Sequence, residues 1–219
     1  MENKMIDLSS VKKTFNSIDG IKITSFVDNK KSITILFYFD ARVLIKGANY
    51  LIDYRLRIDI PKNYPLNLPQ VFEYEEKQIN NFPHINSDSN GTFCLGTDLD
   101  IRRKLKPDYS LTKYISLIAE FLGIYEYYKK YNVFPYGDRR HGKMGILETY
   151  KEIFNVTTSQ QVTSLMQITK LKNGSRNKKC PCNSEMKFKD CHWNIMNTIF
   201  SNPLELSQMK KDFILLKRG

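Results

Sequence analysis

The stretch Ile58-Asp59-Ile60-Pro61-Lys62-Asn63-Tyr64-Pro65-Leu66-Asn67-Leu68-Pro69-Gln70-Val71 decides how this chain is read. Its first residues close a run, 50–60, in which Tyr54, Leu56, Ile58 and Ile60 alternate with Arg55, Arg57 and Asp59. A period of two places the apolar set on one face and the charges on the other, as in a strand of an antiparallel sheet with one wet face. Pro61, Pro65 and Pro69 then each remove a backbone donor and fix φ, so regular structure stops for about ten residues. A short strand is expected to resume at residues 71–74.

Two further strand-like runs lie upstream, 21–27 and 33–39, joined by Asp28-Asn29-Lys30-Lys31, a polar joint suited to a hairpin turn. Before them Met5, Ile6, Leu8, Val11, Phe15 and Ile18 have the spacing of an amphipathic helix over 5–18. Downstream, residues 80–109 are rich in Asn, Asp, Ser and Gly and read as a long loop, the kind that usually carries function. Leu111, Tyr114, Ile115, Ile118, Leu122 and Tyr125 recur at three and four, which predicts a helix over 111–131 with its aromatics in the core. Residues 137–145 form a second glycine-punctuated loop, and a further helix is expected over roughly 146–154. The fold class is α+β: an N-terminal helix, a four-stranded antiparallel meander and C-terminal helices. The expected division is a domain over 1–155, a linker with one helical stretch over 156–178, and a small segment over 179–219.

The chain has 219 residues, 41% of them hydrophobic, and a net charge of +11. After Leu165 there are 11 Lys+Arg against 4 Asp+Glu, so the basic character belongs mostly to the tail. Such a tail can meet nucleic acid or an acidic protein face, or simply be solvated. No run approaches the ~20 apolar residues of a membrane span. The first seven residues are polar and acidic where a secretory signal is basic and then apolar. A cytoplasmic protein is expected, and in that compartment cysteines serve as ligands or nucleophiles more often than in disulfides.

Three of the four cysteines sit in a C-x-C-x8-C-H pattern: Cys180, Cys182, Cys191 and His192. Three thiolates and an imidazole close a tetrahedral Zn²⁺ with no open position, as a structural site requires. So short a segment buries too little apolar surface to fold alone, so the metal supplies folding energy. Residues 176–192 also resemble the SEC-C motif, with Asn183 and Glu185 at two of its usual glycines. The resemblance implies a zinc-bound interaction module.

The fourth, Cys94, lies in Pro83-His84-Ile85-Asn86-Ser87-Asp88-Ser89-Asn90-Gly91-Thr92-Phe93-Cys94-Leu95-Gly96. A thiol, an imidazole and a carboxamide stand close together on a loop, the chemistry of a thioester-forming nucleophile with an oxyanion donor. Together with the Tyr-Pro-x-x-x-Pro segment at 64–69 and the order of elements, this resembles the ubiquitin-conjugating (E2, UBC-fold) enzymes. They carry a His-Pro-Asn triad eight residues before a Cys-Leu pair; here Ile85 replaces the proline. The resemblance implies that Cys94 carries the thioester, that Asn86 stabilises the oxyanion or orders the loop, and that His84 braces it. His141, in Asp138-Arg139-Arg140-His141-Gly142, falls where the family's loop faces the active site and offers a base of near-neutral pKa. Asp98, Asp100 and Asp138 are weaker acidic candidates, and surface solvation explains each equally well.

An E2 core followed by a SEC-C segment looks like the E2-like proteins of short type II CBASS anti-phage operons. There the resemblance implies that a cGAS-like nucleotidyltransferase is held by its C-terminus as a thioester and passed to an amine. No adenylating domain or ATP-binding glycine loop occurs in the chain, so a separate E1-like activator, or another route to the thioester, is implied. Two other readings are a non-catalytic E2-variant binding module and a zinc-dependent nucleic-acid-binding protein in which Phe188 and Trp193 stack on bases. The ending Leu215-Leu216-Lys217-Arg218-Gly219 is a basic terminus whose glycine needs no special role.

Overall fold

The structure is a computed structural model that describes residues 6–75, 77–86 and 91–218. Met5, the first residue of the expected N-terminal helix, and Gly219 lie outside the described residues. The chain divides into two compact units, one formed by Met1–Gly96 with Lys104–Asp138 and the other by Thr97–Arg103 with Arg139–Gly219. The expected boundary at residue 155 does not coincide with this division.

In the first unit, helix α1 (Leu8–Asn16) starts where the Asp7 carboxylate accepts from the Ser10 N–H at 2.9 Å, a side-chain N-cap. It buries Val11 and Phe15, and Phe15 meets Phe37 edge-on at 5.1 Å. Strands β1 (Ile21–Asp28), β2 (Ser32–Ile45), β3 (Ala48–Pro61) and β4 (Gln70–Glu73) form the expected antiparallel meander. Two short strands, β5 (Ile85–Asn86) and β6 (Thr92–Phe93), extend it to six strands in the order β1-β2-β3-β4-β6-β5. The alternation along β3 is as the sequence required: Tyr54, Leu56, Ile58 and Ile60 are buried, whereas Arg55, Arg57 and Asp59 are not.

The strand β2 runs six residues beyond the apolar stretch that announced it. It ends in a two-residue turn, Lys46-Gly47, with φ of 51° and 79°. Both turn residues take the left-handed values that match the twist of a two-residue hairpin. Against the core face of β2 and β3 lies α3 (Leu111–Tyr131), the helix expected over the same residues. The Ser110 hydroxyl caps its start, and Asn132 at φ 53° ends it. Gly123 allows close approach, because a Cβ there would lie 2.9 Å from Val43 Cγ1. The proline segment is pinned from both ends: the Tyr64 hydroxyl donates to the Tyr109 carbonyl at 2.6 Å, and Tyr114 donates to that of Pro69 at 2.7 Å.

The second unit is helical: α2 (Asp98–Leu105, through Arg103), α4 (Gly142–Phe154), α5 (Ser159–Met166), α6 (Trp193–Phe200) and α7 (Pro203–Lys217). One buried cluster joins Leu99, Tyr150, Phe154, Val162, Leu165, Trp193, Met196, Ile199 and Met209 with Cys180 and Cys182. Two expectations are corrected by it. Residues 80–109 are not one loop, since they hold β5, β6 and α2. Residues 156–178 are not a free linker, since Val162 and Leu165 of α5 are fully buried.

Helix α2 escaped the periodicity because charged residues share its inward face. Arg102 is 2% exposed and donates to the Gln208 side chain, and Arg103 pairs with Glu205 at 3.3 Å. Arg102 and Arg103 are therefore committed within the chain, and Lys104 pairs with Glu120 at 3.2 Å.

Candidate metal centre and reactive-cysteine loop

All four cysteines carry free thiols. Cys180, Cys182, Cys191 and His192 are brought together, with their ligand atoms all within 4.8 Å of one another. The chain reaches this arrangement by folding back on itself. Lys179 bridges Lys187, the Cys180 N–H donates to the Met186 carbonyl at 2.8 Å, and the Phe188 N–H donates to that of Lys178 at 2.8 Å. The turn between them places Asn183 and Glu185 at φ 61° and 62°. These are the two positions where the SEC-C motif usually has glycine, and the backbone shows why.

The donor set fits a tetrahedral ion. Cys182 Sγ and Cys191 Sγ lie 3.6 Å apart, close to the ~3.8 Å that two thiolates on one zinc subtend. His192 Nδ1 lies 3.3 Å from Cys180 Sγ and 2.9 Å from Cys191 Sγ. Its Nε2 donates to the Phe154 carbonyl at 2.7 Å, which fixes the proton on that nitrogen and turns the Nδ1 lone pair toward the thiols. The Ser184 hydroxyl, 3.3 Å from Cys191 Sγ, offers a donor to a thiolate. Burial pushes the Cys180 thiol up to about 12. At Cys182 burial also pushes upward but is outweighed by hydrogen bonds from Ser184 and Cys180, so its thiol is lowered. A cation bound here would favour the thiolate form of its cysteines. Sequence reasoning named the four residues of this cluster but not the Phe154 carbonyl or Ser184. A backbone carbonyl carries no residue-type signal, and serine is too common to give one.

Phe188 and Trp193 do not present faces to a partner. Phe188 is 3% and Trp193 9% exposed, they meet edge-on at 5.5 Å, and the Arg176 guanidinium lies 5.1 Å from the Trp193 ring. The expected base-stacking platform is part of the unit's core.

The Cys94 loop is built on β5 and β6. The Cys94 N–H donates to the His84 carbonyl at 2.8 Å, which carries the β5–β6 pairing one residue further. Cys94 is half-buried. Burial pushes its thiol above the ordinary range, against a hydrogen bond from the Gly96 N–H that lowers it. A ring nitrogen of His84 lies within 4.8 Å of Cys94 Sγ. The ring packs edge-on against Phe134 at 4.9 Å and beside Phe82 at 5.4 Å, and its Nε2 lies 3.2 Å from Asp138 Oδ1. Asp138, expected near the active site on its own account, is thus a partner of His84.

Asn86 donates from its side-chain amide to Thr92 Oγ1 at 3.1 Å across the β5–β6 pair, and its carbonyl accepts from the Gly91 N–H at 3.0 Å. It ties together the two ends of 87–90, which lie outside the described residues. His141 precedes α4 in the second unit, where it is exposed and makes no side-chain capping bond. Asp100 is structural: it accepts from Thr97 at 2.9 Å and Thr149 at 2.8 Å and pairs with Arg139 at 3.1 Å. Asp98 stands in the first turn of α2.

No helix is long and apolar enough to cross a membrane among the described residues. No curated protein and no solved structure matches the chain. Residues 176–194 match the SEC-C motif, a span that contains all four residues of the Cys/His cluster.

Proposed function

We propose that this chain is an E2-like acyl carrier whose SEC-C segment is held by a structural Zn²⁺. The observation that carries the reading is the placement of Cys94 Sγ within 4.8 Å of a His84 ring nitrogen, with His84 held by Asp138 and by two aromatic rings. The order of α1, a four-strand meander, the pinned Tyr64–Pro69 segment, the cysteine loop and a long helix supports it, since that is the order the E2 resemblance implies.

The chemistry is acyl transfer. A donor protein arrives with its C-terminal carboxyl activated as a thioester or acyl adenylate. The Cys94 sulfur forms a bond to that carbonyl carbon, the donor's leaving group departs, and the thiol proton passes to His84. An incoming amine then attacks the thioester, the carbon–sulfur bond breaks, and the proton lost by the nitrogen passes to the departing Cys94 sulfur. In this scheme Asn86 orders the loop through Thr92. The donor fits a cGAS-like nucleotidyltransferase in antiviral defence, activated by a separate E1-like protein or by another route. At the metal centre Cys180, Cys182, Cys191 and His192 complete the coordination of Zn²⁺, leaving it structural.

The test is incubation with an activated donor protein followed by non-reducing electrophoresis. A thiol-sensitive adduct is expected with the native chain and absent with Cys94→Ala. An adduct that survives Cys94→Ala would overturn the role of Cys94, and none with either chain would leave a non-catalytic binding module.

A further inference from the structure

The sheet of the first unit has an edge segment with which no described residue pairs. Strand β1 pairs with β2 only as far as Ile21 opposite Phe39, and the Asp40 N–H makes the last contact, to the Gly20 carbonyl at 2.8 Å. There Gly20, at φ 81°, turns the chain away toward α1. A Cβ at this position would sit 1.8 Å from the Asp40 carbonyl oxygen, so glycine is required. Beyond that point β2 continues for five residues, Ala41-Arg42-Val43-Leu44-Ile45, paired on β3 alone.

The register fixes which groups face outward. The two-residue turn makes Ile45 and Ala48 a hydrogen-bonded pair, and alternation does the same for Val43 and Ala41. The N–H and C=O groups of Arg42 and Leu44 therefore point away from β3. Among the described residues no hydrogen bond reaches them from that side. Chains normally blunt such an edge with proline, a bulge or several charges. Here a single arginine stands among four apolar residues, and Leu44 is 65% exposed.

A trough of about 500 Å³ runs along this edge. Its floor is the small-residue side of α3, with Thr112, Ser116 and Ala119, and Tyr136 closes one end by accepting from the Lys46 N–H at 3.4 Å. We propose that this trough is a β-augmentation site for an extended peptide segment of a partner protein, whose backbone pairs with Arg42 and Leu44. Four outward backbone groups complement the edge of an added strand. A segment antiparallel to β2 lies in line with β1, its C-terminal end at Gly20 and its N-terminal end at Lys46. Alternate side chains then rest on α3, where Ser116 and Ala119 admit valine or threonine. Beside the Arg42 and Glu120 that line the trough, Lys46 at one end suits an acid at the segment's N-terminus, and Asp19 and Asp40 at the other suit a base at its C-terminus. The proposal stands apart from any chemistry at Cys94.

The probe is the end-blocked peptide Glu-Thr-Val-Thr-Val-Lys, titrated into the full chain and followed by backbone amide NMR and hydrogen exchange. In the free protein the Arg42 and Leu44 amides exchange fast while those of Val43 and Ile45 are protected. The peptide is expected to bind saturably, to protect the two outward amides, and to bind at least about threefold more tightly than its charge-reversed counterpart. Leu44→Pro removes one outward N–H without touching a ladder bond, and Ser116→Phe fills the floor. Each is expected to weaken binding at least about fivefold while leaving the thermal midpoint within a few degrees. Absence of saturable binding, binding that neither variant weakens, or a homodimer that Leu44→Pro dissolves would overturn the proposal.

Discussion

At the scale of single residues, Glu185 shows what the backbone demands against what the sequence supplies. Its φ of 62° is a left-handed conformation that costs a side chain with a Cβ roughly 1–2 kcal/mol, whereas Asn183 tolerates it better. The exposed Lys179–Glu185 pair returns little of that. Glu185→Gly is therefore expected to stabilise the knuckle by about 1 kcal/mol, read as several-fold slower metal loss to a chelator. At the cysteine loop, the Asp138–His84 pair is half in water and contributes little to stability. Asp138→Asn should slow adduct formation about tenfold with the melting temperature nearly unchanged, because it frees the ring that Asp138 orients. The raised Cys94 thiol adds a sign. Burial favours the neutral form, so the attacking thiolate becomes more abundant as pH rises, and the adduct rate should still be climbing at the ordinary thiol value of 9.0. A rate that falls between neutral pH and that value would contradict this.

At the scale of elements, the meander and α3 were legible because periodicity was uninterrupted. Residues 54–60 alternate without exception, and Leu111 to Tyr125 hold one helical stripe. Helix α2 was not legible, since Arg102 occupies a buried position where an apolar residue is the usual signal. The continuation of β2 through Asp40 and Arg42 was hidden by two charges, although Gly47 marked its turn. The Cys/His cluster was read from spacing alone, whereas the Asp138–His84 pairing joins residues 54 apart and had no local trace. The same buried polarity that hid α2 gives α7 a pH dependence. Asp212, pushed up to about 6 chiefly by burial, accepts from Tyr150 and Gln208, each at 2.9 Å. With its folded value above the ordinary 3.8, its contribution is present in full below about 3.8 and is lost as pH rises through 6. That loss amounts to about 3 kcal/mol at most. Urea denaturation of the native chain and of Asp212→Asn should show the variant gaining relative stability over that interval.

At the scale of the whole molecule, the positions of the thiols and of the division make two further expectations. With metal bound, a thiol reagent should count one accessible cysteine, Cys94. After chelation it should count up to four, as the fold of residues 176–194 is lost. A fragment ending at residue 155, where the sequence suggested a boundary, should not behave as a folded domain. It would keep Leu99, Tyr150 and Phe154 but remove Val162, Trp193, Ile199 and Met209 from the same cluster. Its expected signature is dye binding and a broad, weakly cooperative melt.

The second unit takes its first helix from the middle of the first. During synthesis α2 leaves the ribosome about a hundred residues before α6 and α7, which hold the partners of Leu99, Arg102 and Arg103. At roughly 5–20 residues per second the nascent chain carries that helix without its α6 and α7 partners for about 5–20 s, directly after the cysteine loop. Synonymous codons that slow translation after residue 105 should lengthen this interval and lower the yield of soluble protein, although not one amino acid has changed.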